Sequence, residues 1–178
     1  WPGFHEKLYG LAIDVGSTTV AAHLTELSTG QIAASAGLMN PQIRFGEDLM
    51  SRVSYVMMNP GGDIELTKAV RSALHELIGE LCSDARVDVS TVLEVVLVGN
   101  PVMHHIVAGI DPTPLGQAPF TLATATAIEA PAHDFDLPCP NGRVYLAPCI
   151  SGHVGADTAA VILAEGPHRS PTTQLLVD

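Results

Sequence analysis

YGLAIDVGSTTV, residues 9–20, is an apolar run that ends in an acidic turn rich in glycine and hydroxyl groups. The apolar residues 8–13 predict a central strand that is buried on both faces. After Asp14 come a glycine and three hydroxyl residues, and an alternating pattern from Thr19 to Thr25 then predicts a second strand. The turn between these strands therefore concentrates a carboxylate, a glycine and several hydroxyl groups.

Residues of this kind suit the phosphates of a nucleotide and its magnesium ion. Gly16 lets the backbone approach a phosphate that a side chain would block. The hydroxyl groups of Ser17, Thr18 and Thr19 lie beside backbone N–H donors, and Asp14 can hold the metal through its waters. The same residues also fit an ordinary hairpin turn with an Asp–Gly pair. The spacing alone therefore leaves open whether this segment is a phosphate-binding loop or a simple turn.

The rest of the chain predicts a mixed α/β fold, with helices packed on a sheet of about five strands. The predicted strands are 8–14, 19–25, 31–36, 94–99, 143–147 and one beginning at 174, and the predicted helices are 45–58, one capped by Asp63, 100–109 and 155–164. The strand at 94–99 follows a long helix and should therefore run parallel to the first strand. Residues 111–140 are rich in Pro, Ala and Thr and are predicted to be irregular.

Asn100 begins the helix that follows the strand at 94–99. Asn100 suits the N-cap position and Pro101 the first helical position. A helix N-terminus is an anion site, and the ends of parallel strands are where open α/β sheets bind ligands. Asn100 is therefore a candidate cofactor-binding residue. The adjacent His104 and His105 point about 100° apart on a helix, which disfavours a shared metal ion.

CISGHVGADT, residues 149–158, follows a strand and leads into a helix. Asp157 suits the helix dipole, and it could also reach the same cleft as Asp14. A third interpretation makes Cys149 a nucleophile beside His153, although nothing in the sequence orients the histidine. Asp178 ends a further apolar run at 174–177 and repeats the arrangement of strand and carboxylate found at Asp14.

Composition excludes several classes of function. The chain has 19 acidic and 8 basic residues in 178, a net charge of −11, which argues against binding nucleic acid or an anionic membrane. No segment reaches the roughly 20 apolar residues of a membrane span. The cysteines, Cys82, Cys139 and Cys149, have no CxxC spacing, and reduced thiols in a cytoplasmic protein fit best. Residues 1–7 are predicted to be a linker remnant.

Four segments together resemble a known family. They are YGLAIDVGSTTV (9–20), NPQIRFGEDLMSRV (40–53), VGNPVMHH with GIDPTPLGQAPF (98–105 and 109–120), and ISGHVGADT (150–158). The first segment resembles the first phosphate loop of the actin-like ATPase superfamily, which includes acetate and sugar kinases, hexokinases, heat-shock chaperones and actin. The other three resemble the ATPase domain of the reductive activators of corrinoid-dependent proteins.

The resemblance implies one lobe of a two-lobe ATPase, with an actin-like, ribonuclease H-like mixed sheet in the order β-β-β-α-β-α-β-α. Residues 8–178 would form the N-terminal lobe, cut at the second phosphate loop. Residues 16–19 would cradle the β- and γ-phosphates of ATP, with Asp14 and Asp178 facing Mg²⁺. Asp157 would orient water or act as a base. The chain without its second lobe is not expected to hydrolyse ATP, because both lobes contact the phosphates.

The resemblance also implies partners. A corrinoid protein or corrinoid methyltransferase would receive an electron, and a two-iron two-sulfur cluster would be carried by a separate N-terminal module. A homodimer is compatible with the resemblance, which leaves the oligomeric state open. Two alternatives remain: a small-molecule kinase of the same superfamily, with Asp157 as the base toward a substrate hydroxyl, and a non-catalytic module that docks a partner through its acidic surface and residues 111–140.

Overall fold

A six-stranded mixed sheet organises residues 6–175, the part of the chain that the computed structural model describes. The strands are β1 (Tyr9–Val15), β2 (Thr19–Glu26), β3 (Ile32–Met39), β4 (Val92–Val98), β5 (Ile128–Pro131) and β6 (Arg143–Leu146). The α-helices within this range are α1 (Leu49–Met58), α2 (Gly62–Ala85), α3 (Pro101–Ala108) and α4 (Ala156–Glu165). The predicted mixed α/β fold is confirmed.

The strand order across the sheet is β3-β2-β1-β4-β6-β5. β1 pairs antiparallel with β2 and parallel with β4, and β4 pairs parallel with β6. The opening three-stranded meander and the parallel strand after the long helix are therefore confirmed. Because β1 and β4 run in the same direction, the turns that follow them lie at the same edge of the sheet.

The core lies on one face of the sheet. Leu11, Ile13 and Val15 of β1 are buried there, and the apolar stripe of α2 covers them with residues such as Leu74 and Leu77. The side chains of β1 that point to the opposite face, Ala12 and Asp14, are exposed. The prediction that the first strand is buried on both faces is therefore wrong at these positions. The helices α1, α2 and α3 pack together on the core face, which is the face of Leu11, Ile13 and Val15.

Two predicted helix starts are corrected by local hydrogen bonding. The helix predicted at 45–58 begins at Leu49, because Asp48 caps it by accepting a hydrogen bond from Ser51 N–H at 2.7 Å. Its predicted first residues belong instead to a short 3-10 helix, Pro41–Phe45. The next helix is not capped by Asp63: its N-cap is Gly61, at φ 84°, and Asp63 lies in the first turn.

Residues 111–140 are more ordered than predicted. They contain β5, which pairs antiparallel with β6 and forms the edge of the sheet, and two 3-10 helices, Thr113–Gly116 and Ala132–Phe135. Proline is tolerated in a strand at a sheet edge, although it usually argues against a strand. β5, which ends in Pro131, was therefore not predicted from the sequence. At the other predicted strand, Gln174 and Leu175 lie outside any strand, and residues 176–178 lie outside the described residues.

Candidate functional site

Three turns meet at the carboxyl ends of β1 and β4. They are the β1–β2 loop at 16–18, the Gly99–Asn100 turn before α3, and the Gly155–Asp157 segment that starts α4. A Cβ added at Gly99 would lie 2.9 Å from the carbonyl oxygen of Val15, and one at Gly155 would lie 2.5 Å from the carbonyl oxygen of Gly99. Ala156 N–H also donates to the Gly99 carbonyl at 3.0 Å. Missing side chains therefore allow the three backbones to touch.

Gly16 is required by the tightness of the β1–β2 loop. A Cβ at this position would lie 2.5 Å from the carbonyl oxygen of Thr19, which is backbone and cannot move aside alone. The side chains of Thr18 and Thr19 are exposed, as is that of Asp14 just before the loop. The loop thus presents hydroxyl groups and a carboxylate at the open edge of the sheet.

The carbonyl groups of this loop are held from behind. Asn40 donates from Nδ2 to the Gly16 carbonyl and from its backbone N–H to the Thr18 carbonyl, each at 2.8 Å. The carbonyl between them, on Ser17, accepts a hydrogen bond from Nη2 of Arg52. Three successive carbonyls are therefore fixed by only two residues, both fully buried.

Asn100 caps α3 as predicted. Its Oδ1 accepts a hydrogen bond from Met103 N–H at 3.0 Å, and Pro101 occupies the first turn. The helix ends where it was predicted to end, at Gly109 with φ 76°. Since the Oδ1 atom of Asn100 is engaged by the cap, a ligand at this turn would meet its Nδ2 group and the N-terminus of the helix.

Asp157 lies in the first turn of α4 and is half-buried. Its Oδ1 accepts a hydrogen bond from Thr158 N–H at 2.7 Å. The contact of Gly155 with Gly99 places this turn beside the end of β4, so the structure brings the segments of Asp14, Asn100 and Asp157 to one edge of the sheet. Asp178, the remaining predicted residue, lies outside the described residues.

Of the two histidines of α3, His105 has a structural role, and His104 is buried beside it. His105 accepts a hydrogen bond at Nε2 from Ala123 N–H at 3.0 Å, so its proton is on Nδ1, which donates to the Pro101 carbonyl at 2.8 Å. Burial lowers the pKa of His105, which favours this neutral form. The His104 ring is also buried, with its centroid 5.4 Å from that of His105. His105 therefore ties the 111–140 segment to α3.

The cysteines do not have the surroundings of a nucleophile. All three are buried and free. Burial raises the pKa of Cys149, and it raises that of Cys139 to about 12, so both thiols stay protonated near neutral pH. The ring of His153 packs against Phe120 with centroids 4.6 Å apart. These contacts argue against the pairing of Cys149 with His153.

Sequence reasoning assigned no role to Asn40 or Arg52, although both lie in the segment 40–53. One signal was present for Arg52: in α1 it falls on the face of Leu49, Val53 and Val56, and that spacing indicates a buried position. No helix in the part of the chain that the structure describes has the length and apolar character needed to cross a membrane.

Known proteins are similar to this chain over nearly its whole length. The family model of the RACo middle region matches residues 9–170. The corrinoid activation enzyme RamQ of Eubacterium limosum is 34% identical over 174 residues, which cover 97% of this chain and 29% of RamQ. The solved structure of a reductive activator for corrinoid,iron-sulfur protein is 35% identical, has a TM-score of 0.91, and is matched over 95% of this chain and 27% of its own.

These likenesses confirm the fold class that the resemblance implied. The chain spans less than a third of the length of the relatives that it matches. The matched region contains the β1–β2 loop, the α3 N-terminus and the start of α4. The chain belongs to the RACo middle region family.

Proposed function

We propose that this chain is the N-terminal lobe of the actin-like ATPase domain of an ATP-dependent reductive activator of a corrinoid protein. The observation that supports this most is the meeting of the β1–β2 loop, the α3 N-terminus and the α4 N-terminus at one sheet edge, in a chain of the RACo middle region family. The two named relatives are a corrinoid activation enzyme and a reductive activator for corrinoid,iron-sulfur protein, which agrees with the proposal.

The β1–β2 loop has the features that a phosphate cradle needs. The absent side chain of Gly16 lets a phosphate approach backbone N–H groups, and Ser17, Thr18 and Thr19 bring hydroxyl groups. Asn100 contributes Nδ2 and the helix N-terminus. The bound Mg²⁺ would supply positive charge to the β- and γ-phosphates.

The three carboxylates have distinct roles in this proposal. Asp14 is exposed at the end of β1 and would hold the waters around the metal ion. Asp178 would do the same from the second phosphate loop. Asp157, in the first turn of α4, would position the attacking water. Hydrolysis would drive a conformational step in the whole protein. It would require the second lobe, because the contacts that stabilise charge on the transferred phosphoryl group come from both lobes.

The proposal extends to the whole protein. Residues 8–178 would be the N-terminal lobe and residues 1–7 a linker remnant. An electron would pass from a two-iron two-sulfur cluster in a separate module to a corrinoid protein or corrinoid methyltransferase in the cytoplasm. We further propose that the protein acts as a homodimer, which its sedimentation would test.

Asp14→Asn in the full-length protein is expected to lower ATP hydrolysis by roughly 10- to 100-fold, the usual effect of removing a carboxylate that orients the waters of a metal ion. Phosphate release in the presence of the corrinoid protein measures this. Glu94→Gln is the matched control, because Glu94 is exposed on the neighbouring strand β4 at the opposite end of the sheet. Its turnover should stay unchanged.

Equal turnover by Asp14→Asn and the unmutated protein would contradict the role of Asp14. Appearance of the phosphate on an added sugar or carboxylic acid, instead of in solution, would replace the proposed activity by that of a kinase.

A further inference from the structure

Arg52 is a buried cation that forms no ion pair among the residues that the structure describes. Its side chain is fully buried, and within residues 6–175 no carboxylate oxygen lies within ion-pair distance of the guanidinium. Burial lowers the pKa of Arg52, and the nearby Asp48 opposes that shift. The ordinary pKa of an arginine is so high that the side chain nevertheless stays charged in a protein. A buried charge without an ion-pair partner is costly, so its presence at this position calls for an explanation.

The partners of the guanidinium are all uncharged. Nε donates to the Gly46 carbonyl at 3.1 Å, and Nη1 lies 3.3 Å from Oε1 of Gln42 and 3.2 Å from the sulfur of Met103. Nη2 donates to the Ser17 carbonyl, inside the β1–β2 loop. These contacts orient the side chain and engage each of its three nitrogens, but they do not neutralise its charge.

The location of Arg52 supplies the missing reason. The guanidinium contacts the backbone of the loop that carries Ser17, Thr18 and Thr19, from the buried side. Charges act over longer distances in a protein interior than in water, because the effective dielectric constant is lower. An anion on the exposed side of this thin loop would therefore feel the charge of Arg52 across the backbone.

We propose that Arg52 is the fixed positive charge of the β1–β2 loop, and that the β- and γ-phosphates of a bound nucleotide act as its counter-ion without touching it. This inference rests on the proposed function and adds a residue to it. Arg52 is a positioning residue: its hydrogen bond orients the loop, and its charge attracts the phosphates. The loop thus obtains a cation from the core without using a surface lysine.

Calorimetric binding of ATP and of AMP to the full-length protein tests the inference. Arg52→Met should lower the affinity for ATP by about tenfold or more. It should lower the affinity for AMP, which lacks the distal phosphates, by less than about threefold. Arg52→Lys keeps the charge but replaces the planar fork of five donors by three donors on one nitrogen, so its affinity for ATP should stay within about threefold of the unmutated protein. Arg44→Met, which removes an exposed cation stacked over Phe45, is the matched control and should bind ATP normally.

The outcomes separate this inference from the proposed function. Unmutated protein that binds no ATP overturns both. Normal ATP binding by Arg52→Met, or equal weakening of ATP and AMP with the Lys and Met variants alike, overturns the role of the charge alone and makes Arg52 a structural brace. If Arg52→Met does not fold, Arg52→Lys decides by itself, and a tenfold loss of ATP affinity in that folded variant overturns the inference.

Discussion

Gly155→Ala is expected to lower the free energy of unfolding of this chain by about 3 kcal/mol, the upper end of the usual cost of overpacking. The added Cβ would lie 2.5 Å from the Gly99 carbonyl oxygen, 2.6 Å from Cα of Asn100 and 2.6 Å from Oδ1 of Asp157. Two of these atoms are backbone, so the start of α4 must move away from the β4 end. On the proposed function, ATP binding by the full-length protein should be lost together with this stability.

The need for glycine at position 155 comes from contact and not from backbone conformation. Its φ is −86° and its ψ is −174°, an extended conformation that any residue adopts. Gly79 is the matched control, because it is exposed in the middle of α2 with no atom within 4 Å of an added Cβ. Gly79→Ala should raise the free energy of unfolding by about 1 kcal/mol, since alanine favours the helix.

Urea denaturation of the three proteins measures both effects. A Gly155→Ala chain as stable as the unmutated one would show that α4 and the Gly99–Asn100 turn do not touch. The packing of the candidate site would then need to be redrawn.

The second large effect is a loss of stability in acid, centred on His104. Burial, followed by the neighbouring His105, lowers the pKa of His104 from 6.5 to about 4. Below pH 6.5 His104 therefore binds a proton in the unfolded chain, whereas in the folded chain it does not bind one until the pH falls to about 4. This stabilisation is complete above pH 6.5 and falls by about 3 kcal/mol as the pH drops to 4.

His104→Leu should reduce the dependence of stability on pH between 7 and 4 by about that amount. Chemical denaturation at several pH values measures it, and His133→Gln serves as the control. The His133 side chain is 75% exposed, so this variant should keep the acid sensitivity of the unmutated chain. An identical pH profile for His104→Leu and the unmutated chain would contradict the lowered pKa of His104. Burial lowers the pKa of His105 too, so some sensitivity of the same sign should remain.

Local patterns predicted most of the secondary structure. The strands β1 to β4 carry apolar alternation or β-branched runs, and α3 has both an N-cap at Asn100 and a glycine at its end. The helix starts at Leu49 and Gly62 were misplaced, because several polar residues compete to cap a helix and only the folded backbone selects one. β5 was missed because a four-residue edge strand has almost no period.

The candidate site was predicted less completely than the fold. Gly16, Asn100 and Asp157 could be predicted as candidates because each lies where a strand ends or a helix begins, and such positions can be recognised from the sequence alone. The roles of Asn40 and Arg52 were missed because they depend on contacts with residues 24 and 35 positions away in the chain. The requirement for Gly155 is likewise a contact between two distant turns.

The bracing of the β1–β2 loop has a further thermodynamic consequence. The carbonyl groups of Gly16, Ser17 and Thr18 accept hydrogen bonds from Asn40 and Arg52, which are buried parts of the fold itself. The loop has therefore lost its conformational entropy during folding. On the proposed function, a phosphate would not have to order the loop, so more of the free energy of its contacts would be available as affinity.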